Sequence, residues 1–175
     1  MNNTTKKLVL AAILAALAGA LKTFSDLAEN FIGGQGRTLS FFSIPLIMAG
    51  YYCGPWLGLA SGFVADVAYA ALPFTQGKFG LDNLFTITTM IWGLTGFFIR
   101  KIKFNPRLIV ILILVIVTSM IETSLNTLFA YWLNYTKQLE LFRLIKRIVA
   151  MFVRVPIIVI VTNTILTRLD ILYLE

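Results

Sequence analysis

The sequence predicts an all-α membrane protein: one domain over residues 1–175, built as a bundle of six transmembrane helices with both termini cytoplasmic. Three observations predict it. The chain is 58% hydrophobic and only 13% charged, with a mean hydropathy of +0.85, far too apolar to cover itself with polar groups in water. Its charged residues fall into clusters separated by apolar stretches close to the ~20 residues that a helix needs to cross a hydrocarbon core about 30 Å thick. The basic residues also concentrate on alternate boundaries of those stretches, as retention of positive loops in the cytoplasm demands.

Each element follows from its own signals. Lys6 and Lys7 precede an apolar run from Leu8 to Leu21 with no trustworthy small-residue cleavage pattern, so the run is expected to be a retained first helix, about Lys6 to Phe24, and not a signal peptide. A polar, glycine-bearing loop follows from Ser25 to Arg37. The second helix is short, about Thr38 to Tyr52, with Pro45 expected to kink or delay it. Gly54-Pro55 turns the chain into a third helix, Trp56 to Leu72, which stops at Pro73, and Phe74 to Asn83 form another loop. Helix four spans about Leu84 to Ile99 and is closed by Arg100, Lys101, Lys103 and Arg107 around Pro106. Helix five runs from Leu108 to Leu133, and helix six from about Leu139 to Arg168.

Lys6, Lys7, Arg100, Lys101, Lys103, Arg107 and Arg168 would lie on one side, against Lys22, Arg37, Lys78 and Lys137 on the other, which sets the orientation. The net charge of +7 is thus read as topology and not as a nucleic-acid footprint. The single Cys53 has no companion for a disulfide or a metal site, and histidine is absent, so neither a metal nor a cofactor is expected. No nucleophile and base stand together, so the chain is read as a non-enzyme. With no space for a nucleotide-binding domain, its energy source would be an ion gradient or a partner protein. Internal repeats are not evident.

An ionisable group inside a span costs about 2.5–3.5 kcal/mol on insertion scales, so each one is a candidate for function. Asp66 lies some ~18 Å along helix three, in the outer half, with Tyr69 one turn on. It would either pair with an arginine of another helix or accept N–H groups from a ligand. On helix five, Thr118, Glu122 and Asn126 repeat every four residues as one polar stripe, with Glu122 ~22 Å above Arg107; such a stripe serves either a ligand or helix adhesion. Helix six places Arg143, Arg147 and Arg154 on one face, with Lys146 alongside. Arg143 and Lys146 have the option of snorkelling to the interface; the deeper Arg154 presents a fork suited to carboxylate or phosphate, or to the acids of the other helices. Together these groups are expected to face one another across a pocket open to the outside, with Phe79 among the aromatics able to stack on a flat heterocycle. Helix one carries two ridges of small residues, Ala11, Ala15 and Gly19 beside Ala12, Ala16 and Ala20, which suit close approach by another helix, either inside the bundle or on a partner.

These features resemble the S component of an energy-coupling factor transporter, in particular its folate-type branch. The segments that carry the resemblance are the paired alanine ridges; Leu39 to Leu46 (Leu-Ser-Phe-Phe-Ser-Ile-Pro-Leu), Ala49-Gly50, Gly54-Pro55 and Gly58, with Asp66 beyond; Leu125-Asn126-Thr127; and Arg147 to Pro156. The resemblance implies a six-helix protein of the bacterial cytoplasmic membrane that binds a vitamin near its outer surface, under the loops that hold Arg37 and Phe79. It implies assembly with a membrane coupling subunit, through Ala11, Ala12, Ala15 and Ala16, and with two cytoplasmic ATPases; a bulky residue at Ala15 would then spare binding and impair uptake. Folate-type members usually carry Pro-Gly-Phe-Thr at the entry to helix four, where this chain has Gly80-Leu81-Asp82-Asn83-Leu84-Phe85-Thr86. The substrate therefore stays open among folate, pantothenate, pyridoxine, a pyrimidine precursor and cobalamin. A stand-alone carrier coupled to protonation of Asp66 or Glu122 is the alternative.

Overall fold

The computed structural model describes residues 3–32, 41–71, 84–102, 106–132 and 141–174. Six helices are found among them: α1 (Asn3–Ile32), α2 (Ser43–Cys53), α3 (Pro55–Ala70), α4 (Leu84–Lys101), α5 (Arg107–Trp132) and α6 (Leu141–Leu174). No strand occurs among the described residues.

Asn3–Leu27, Arg107–Phe129 and Ile148–Leu169 are long and apolar enough to cross a membrane. At 1.5 Å per residue the 11 residues of α2 rise only ~16 Å, about half the hydrocarbon thickness. The surface is the reverse of a soluble protein's. Ile13, Leu17, Phe63, Ile113, Met120, Phe152, Val153 and Ile160 all stand outward on helices, a continuous apolar exterior that water would not support and lipid solvates well.

Packing fixes the helix directions. Ala11 faces Ser61, Gly19 faces Ala65 and Asp26 faces Tyr69, so α1 and α3 run side by side in the same sense. Asp66 meets Thr86 while Gly58 meets Gly93, so α4 runs back along α3. The pairs Thr88–Asn126 and Thr95–Thr118 set α5 antiparallel to α4, and Glu122–Arg154 with Thr123–Met151 set α6 antiparallel to α5.

Glycine determines how tightly α2, α3 and α4 meet. A methyl built on Gly58 would come within 2.7 Å of the Gly93 carbonyl oxygen, and one on Gly62 within 2.7 Å of Met90 Cα. Both are contacts against backbone, which cannot swing aside. Gly54 serves differently: its φ of 99° allows α2 to end and α3 to start with Pro55 at its first position, where the missing N–H is no loss. Trp92, Leu46, Ile47, Ile111, Val115, Ile158 and Leu166 fill the core between these helices.

Three expectations are corrected. The first helix does not stop at Phe24 but continues to Ile32, so Asp26 belongs to a helix and not to a loop, and Lys22 lies inside the bundle and not at its rim. The second helix starts at Ser43, not Thr38; Pro45 is its third residue, where a backbone N–H has no intrahelical partner, so the proline sets the start and does not kink the helix. The last helix reaches Leu174, six residues beyond Arg168.

Candidate functional site

The costly side chains collect in the half of the bundle where α1, α3 and α5 end and α4 and α6 begin. Lys22 reaches from α1 to the Asp66 carboxylate on α3, and both are buried, at 1% and 4% exposure. The Thr86 hydroxyl donates to the second carboxylate oxygen, and Thr89 Oγ1 accepts from Lys22 Nζ at 3.3 Å. Two aromatic faces border the cation, with Nζ 4.9 Å from the Tyr69 ring centroid and 5.4 Å from that of Phe42. Tyr69 uses its hydroxyl to hold Asp26, one turn beyond Lys22. A buried charge pair survives desolvation only when its remaining valences are satisfied, and here α1, α3 and α4 each supply part of that.

The second pair is on α5 and α6, where Arg154 Nη2 lies 3.1 Å from Glu122 Oε2, both residues buried. Glu122 sits in the middle of the stripe that the four-residue spacing of Thr118, Glu122 and Asn126 creates. That stripe faces α4: Thr118 and Thr95 share a hydrogen bond of 2.7 Å, and Thr88 donates to Asn126 Oδ1 at 3.1 Å. Near the same end Phe85 and Phe129 pack edge to face, 6.2 Å apart. Helix α4 therefore touches both charge pairs' neighbourhoods within its first turns, Thr86 and Thr89 on the Asp66 side and Thr88 on the Asn126 side. The result is one polar layer through an otherwise apolar bundle.

A protein-family model described as "ECF transporter, substrate-specific component" matches residues 6–172, nearly the entire chain. The chain is a member of that family. No curated protein and no solved structure matches it. The family supplies the substrate-recognising membrane subunit of energy-coupling factor transporters and is not an enzyme family, which agrees with three membrane-length helices and a lipid-compatible exterior.

In this S component the structure distributes the expected site residues differently from a single facing set. Asp66 and Tyr69 belong to the first cluster, and Asp66 is paired with Lys22 and not with an arginine. Glu122, Asn126 and Arg154 belong to the second. The backbone of Arg147 lies in α6, one face-repeat before Arg154, and its side chain is outside the described residues, as are Arg37 and Phe79. The two small-residue ridges of α1 separate cleanly. Ala11, Ala15 and Gly19 turn inward, where the Ser61 hydroxyl reaches the Ala11 carbonyl at 3.2 Å and Gly19 abuts Ala65; Ala12 and Ala16 turn outward.

Lys22, Thr86, Thr88 and Thr89 were missing from the sequence-derived set. The signal for Lys22 was its four-residue spacing from Asp26, with Leu27 and Phe31 continuing the helical pattern beyond both. The threonines stand at the start of α4 on two adjacent faces, a pattern that only the partner helices distinguish from ordinary helix composition.

Proposed function

We propose that this S component captures a water-soluble vitamin, folate or a related small molecule, from outside the cell and delivers it within a complex of a membrane coupling subunit and two cytoplasmic ATPases. The observation that carries this reading is the polar layer: two buried ion pairs and their threonine and asparagine partners, gathered in the one half of a lipid-solvated bundle where α1, α3 and α5 end and α4 and α6 begin. A membrane subunit that only had to pack would have no use for so many desolvated charges.

In the proposed arrangement the six-helix bundle is embedded in the bacterial cytoplasmic membrane, with both termini inside and the polar half outside. The orientation gains support from the position of Lys22. As an interior residue it drops out of the count for the polar end, which leaves Arg37, Lys78 and Lys137 outside the helices and Arg143, Lys146 and Arg147 in the first two turns of α6, against the seven basic residues of the opposite end. Asp66, Tyr69, Glu122, Asn126, Arg147 and Arg154, with Arg37 and Phe79 from the connections, are the proposed ligand-binding set. The outward Ala12 and Ala16 are the proposed contact with the coupling subunit, since small side chains let a partner helix approach closely.

The test is mass spectrometry of the small molecule that co-purifies with the detergent-solubilised chain, followed by transport of that molecule in proteoliposomes. Tight binding without turnover by the isolated chain, and uptake only after the coupling subunit and ATPases are added, is the expected result. Concentrative uptake by the chain alone under a proton gradient would replace this reading with a stand-alone carrier.

A further inference from the structure

Buried serine and threonine hydroxyls in a helix ordinarily return to the carbonyl four residues earlier. Ser25, Ser61 and Thr95 do so here, as do the half-buried Thr23 and Thr127. Ser119 on α5 and Thr162 on α6 do not: both are fully buried, and neither Oγ has a hydrogen-bond partner among the described residues. The indole Nε1 of Trp92 on α4, equally buried, has none either. Buried donors left in that state are rare in a folded chain and point to a group that arrives from elsewhere.

Trp92 and Ser119 lie within about one helical turn of each other along the bundle. The hydrogen bonds Thr88–Asn126 and Thr95–Thr118 form two rungs between α4 and α5. Trp92 lies four residues after Thr88 and three before Thr95, and Glu122 lies four residues from both Asn126 and Thr118. Trp92 and Glu122 therefore stand between the rungs, one on each helix, and Ser119, three residues before Glu122 and nearer the Thr95–Thr118 rung, shares its face of α5. A carboxylate has about four acceptor positions and its pairing with Arg154 leaves some of them for other donors. That pairing also neutralises the level as a whole.

We propose that Trp92, Ser119 and Glu122 form a recognition edge for an uncharged nitrogen heterocycle that presents a hydrogen-bond acceptor and an N–H side by side, as a ring lactam or an aminopyrimidine does. The indole N–H and the serine hydroxyl donate to the acceptor, and the Glu122 carboxylate takes the N–H. This assignment rests on the capture function proposed above and narrows its ligand to one chemical class.

The test is calorimetric titration of the detergent-solubilised chain with folic acid and with amino-hydroxymethyl-methylpyrimidine, which carry this edge, and with pantothenate and pyridoxine, which do not. One of the first two binds, and Trp92→Phe and Ser119→Ala each weaken it by about tenfold, the usual consequence of deleting one buried donor. Ser119→Ala removes a single oxygen, so its ligand-free melting temperature stays close to that of the unaltered chain and keeps the test valid if Trp92→Phe loosens the core. Binding restricted to pantothenate or pyridoxine, a co-purifying molecule without the edge, or equal affinity of an edge-bearing probe for all three proteins overturns the assignment and leaves vitamin capture standing. Failure to retain any small molecule overturns the capture function, and this assignment with it.

Discussion

Lys22 and Asp66 give the sharpest quantitative test of the structure. Replacing Lys22 by Met leaves the Asp66 carboxylate buried with only the Thr86 and Thr89 hydroxyls near it. Removing one partner of a buried pair costs about 3–5 kcal/mol, because the other charge stays desolvated and uncompensated. Asp66→Leu is expected to be milder by about 1–2 kcal/mol, since the ammonium retains Thr89 and the faces of Phe42 and Tyr69, each contributing roughly 0.5–2 kcal/mol when desolvated. The double variant Lys22→Met/Asp66→Leu deletes both charges and replaces them by apolar groups of similar length. Such swaps are often neutral or better, so it should be more stable than Lys22→Met alone. Unfolding of all four proteins by graded addition of sodium dodecyl sulfate to mixed micelles, followed by circular dichroism, measures the cycle. A coupling energy of about 2 kcal/mol or more is expected, whereas additivity within about 0.5 kcal/mol would show that the two side chains act independently and that the pair does not join α1 to α3.

Two contrasts follow from positions that look alike in the sequence. Gly93→Ala should abolish folding, seen as loss of the monomeric peak in size-exclusion chromatography, because its new methyl would enter the Gly58 carbonyl; Gly54→Ala meets nothing within 4 Å and should cost only the strain of its positive φ, about 1 kcal/mol in chemical unfolding. Among the alanines, Ala15→Trp should fail to fold because Ala15 is 1% exposed against α3, which replaces the expectation that a bulky residue there spares binding. Ala16→Trp points outward and should leave ligand affinity within about twofold while reducing uptake by the reconstituted complex; full uptake would move the partner surface elsewhere.

The helices were legible from the sequence because lipid imposes a length and a hydropathy that few other contexts demand, and α3 to α5 fall within two residues of expectation. Asp66, Glu122, Asn126 and Arg154 were legible for the related reason that desolvation makes each ionisable or amide group in a span conspicuous. Lys22 escaped because a lysine after an apolar run has two physically distinct fates, snorkelling to an interface or insertion against a buried acid, and hydropathy treats them alike. The error spread: reading Lys22 as a boundary shortened α1, placed Asp26 in a loop and left Asp66 without its real partner. The inward and outward alanine ridges were indistinguishable for a similar reason. Ala11 and Ala12 have identical chemistry, and only the presence of Ser61 and Ala65 on one side separates them.

The bundle is joined by two kinds of seam with different consequences for a capture protein. Between α2, α3 and α4, glycine carbonyls and Cα atoms touch directly, so any relative shift of those helices meets backbone repulsion at once. Between α4 and α5 the described polar contacts are side-chain hydrogen bonds, Thr95–Thr118 and Thr88–Asn126, with the Trp92 level between them. Hydroxyl and amide contacts of this type contribute only about 0.6 kcal/mol each between membrane helices, and a guest or a water molecule is able to replace them. On the proposed capture function, a ligand that enters the polar layer would meet less resistance along α4–α5, where side chains including Trp92, Ile111 and Val115 have to rearrange, than between α2 and α4, where backbones touch. Helices α1 to α4 are held together by glycine contacts and by the Lys22–Asp66 pair, so on that same proposal α5 and α6 would be the part of the bundle that adjusts to what is bound.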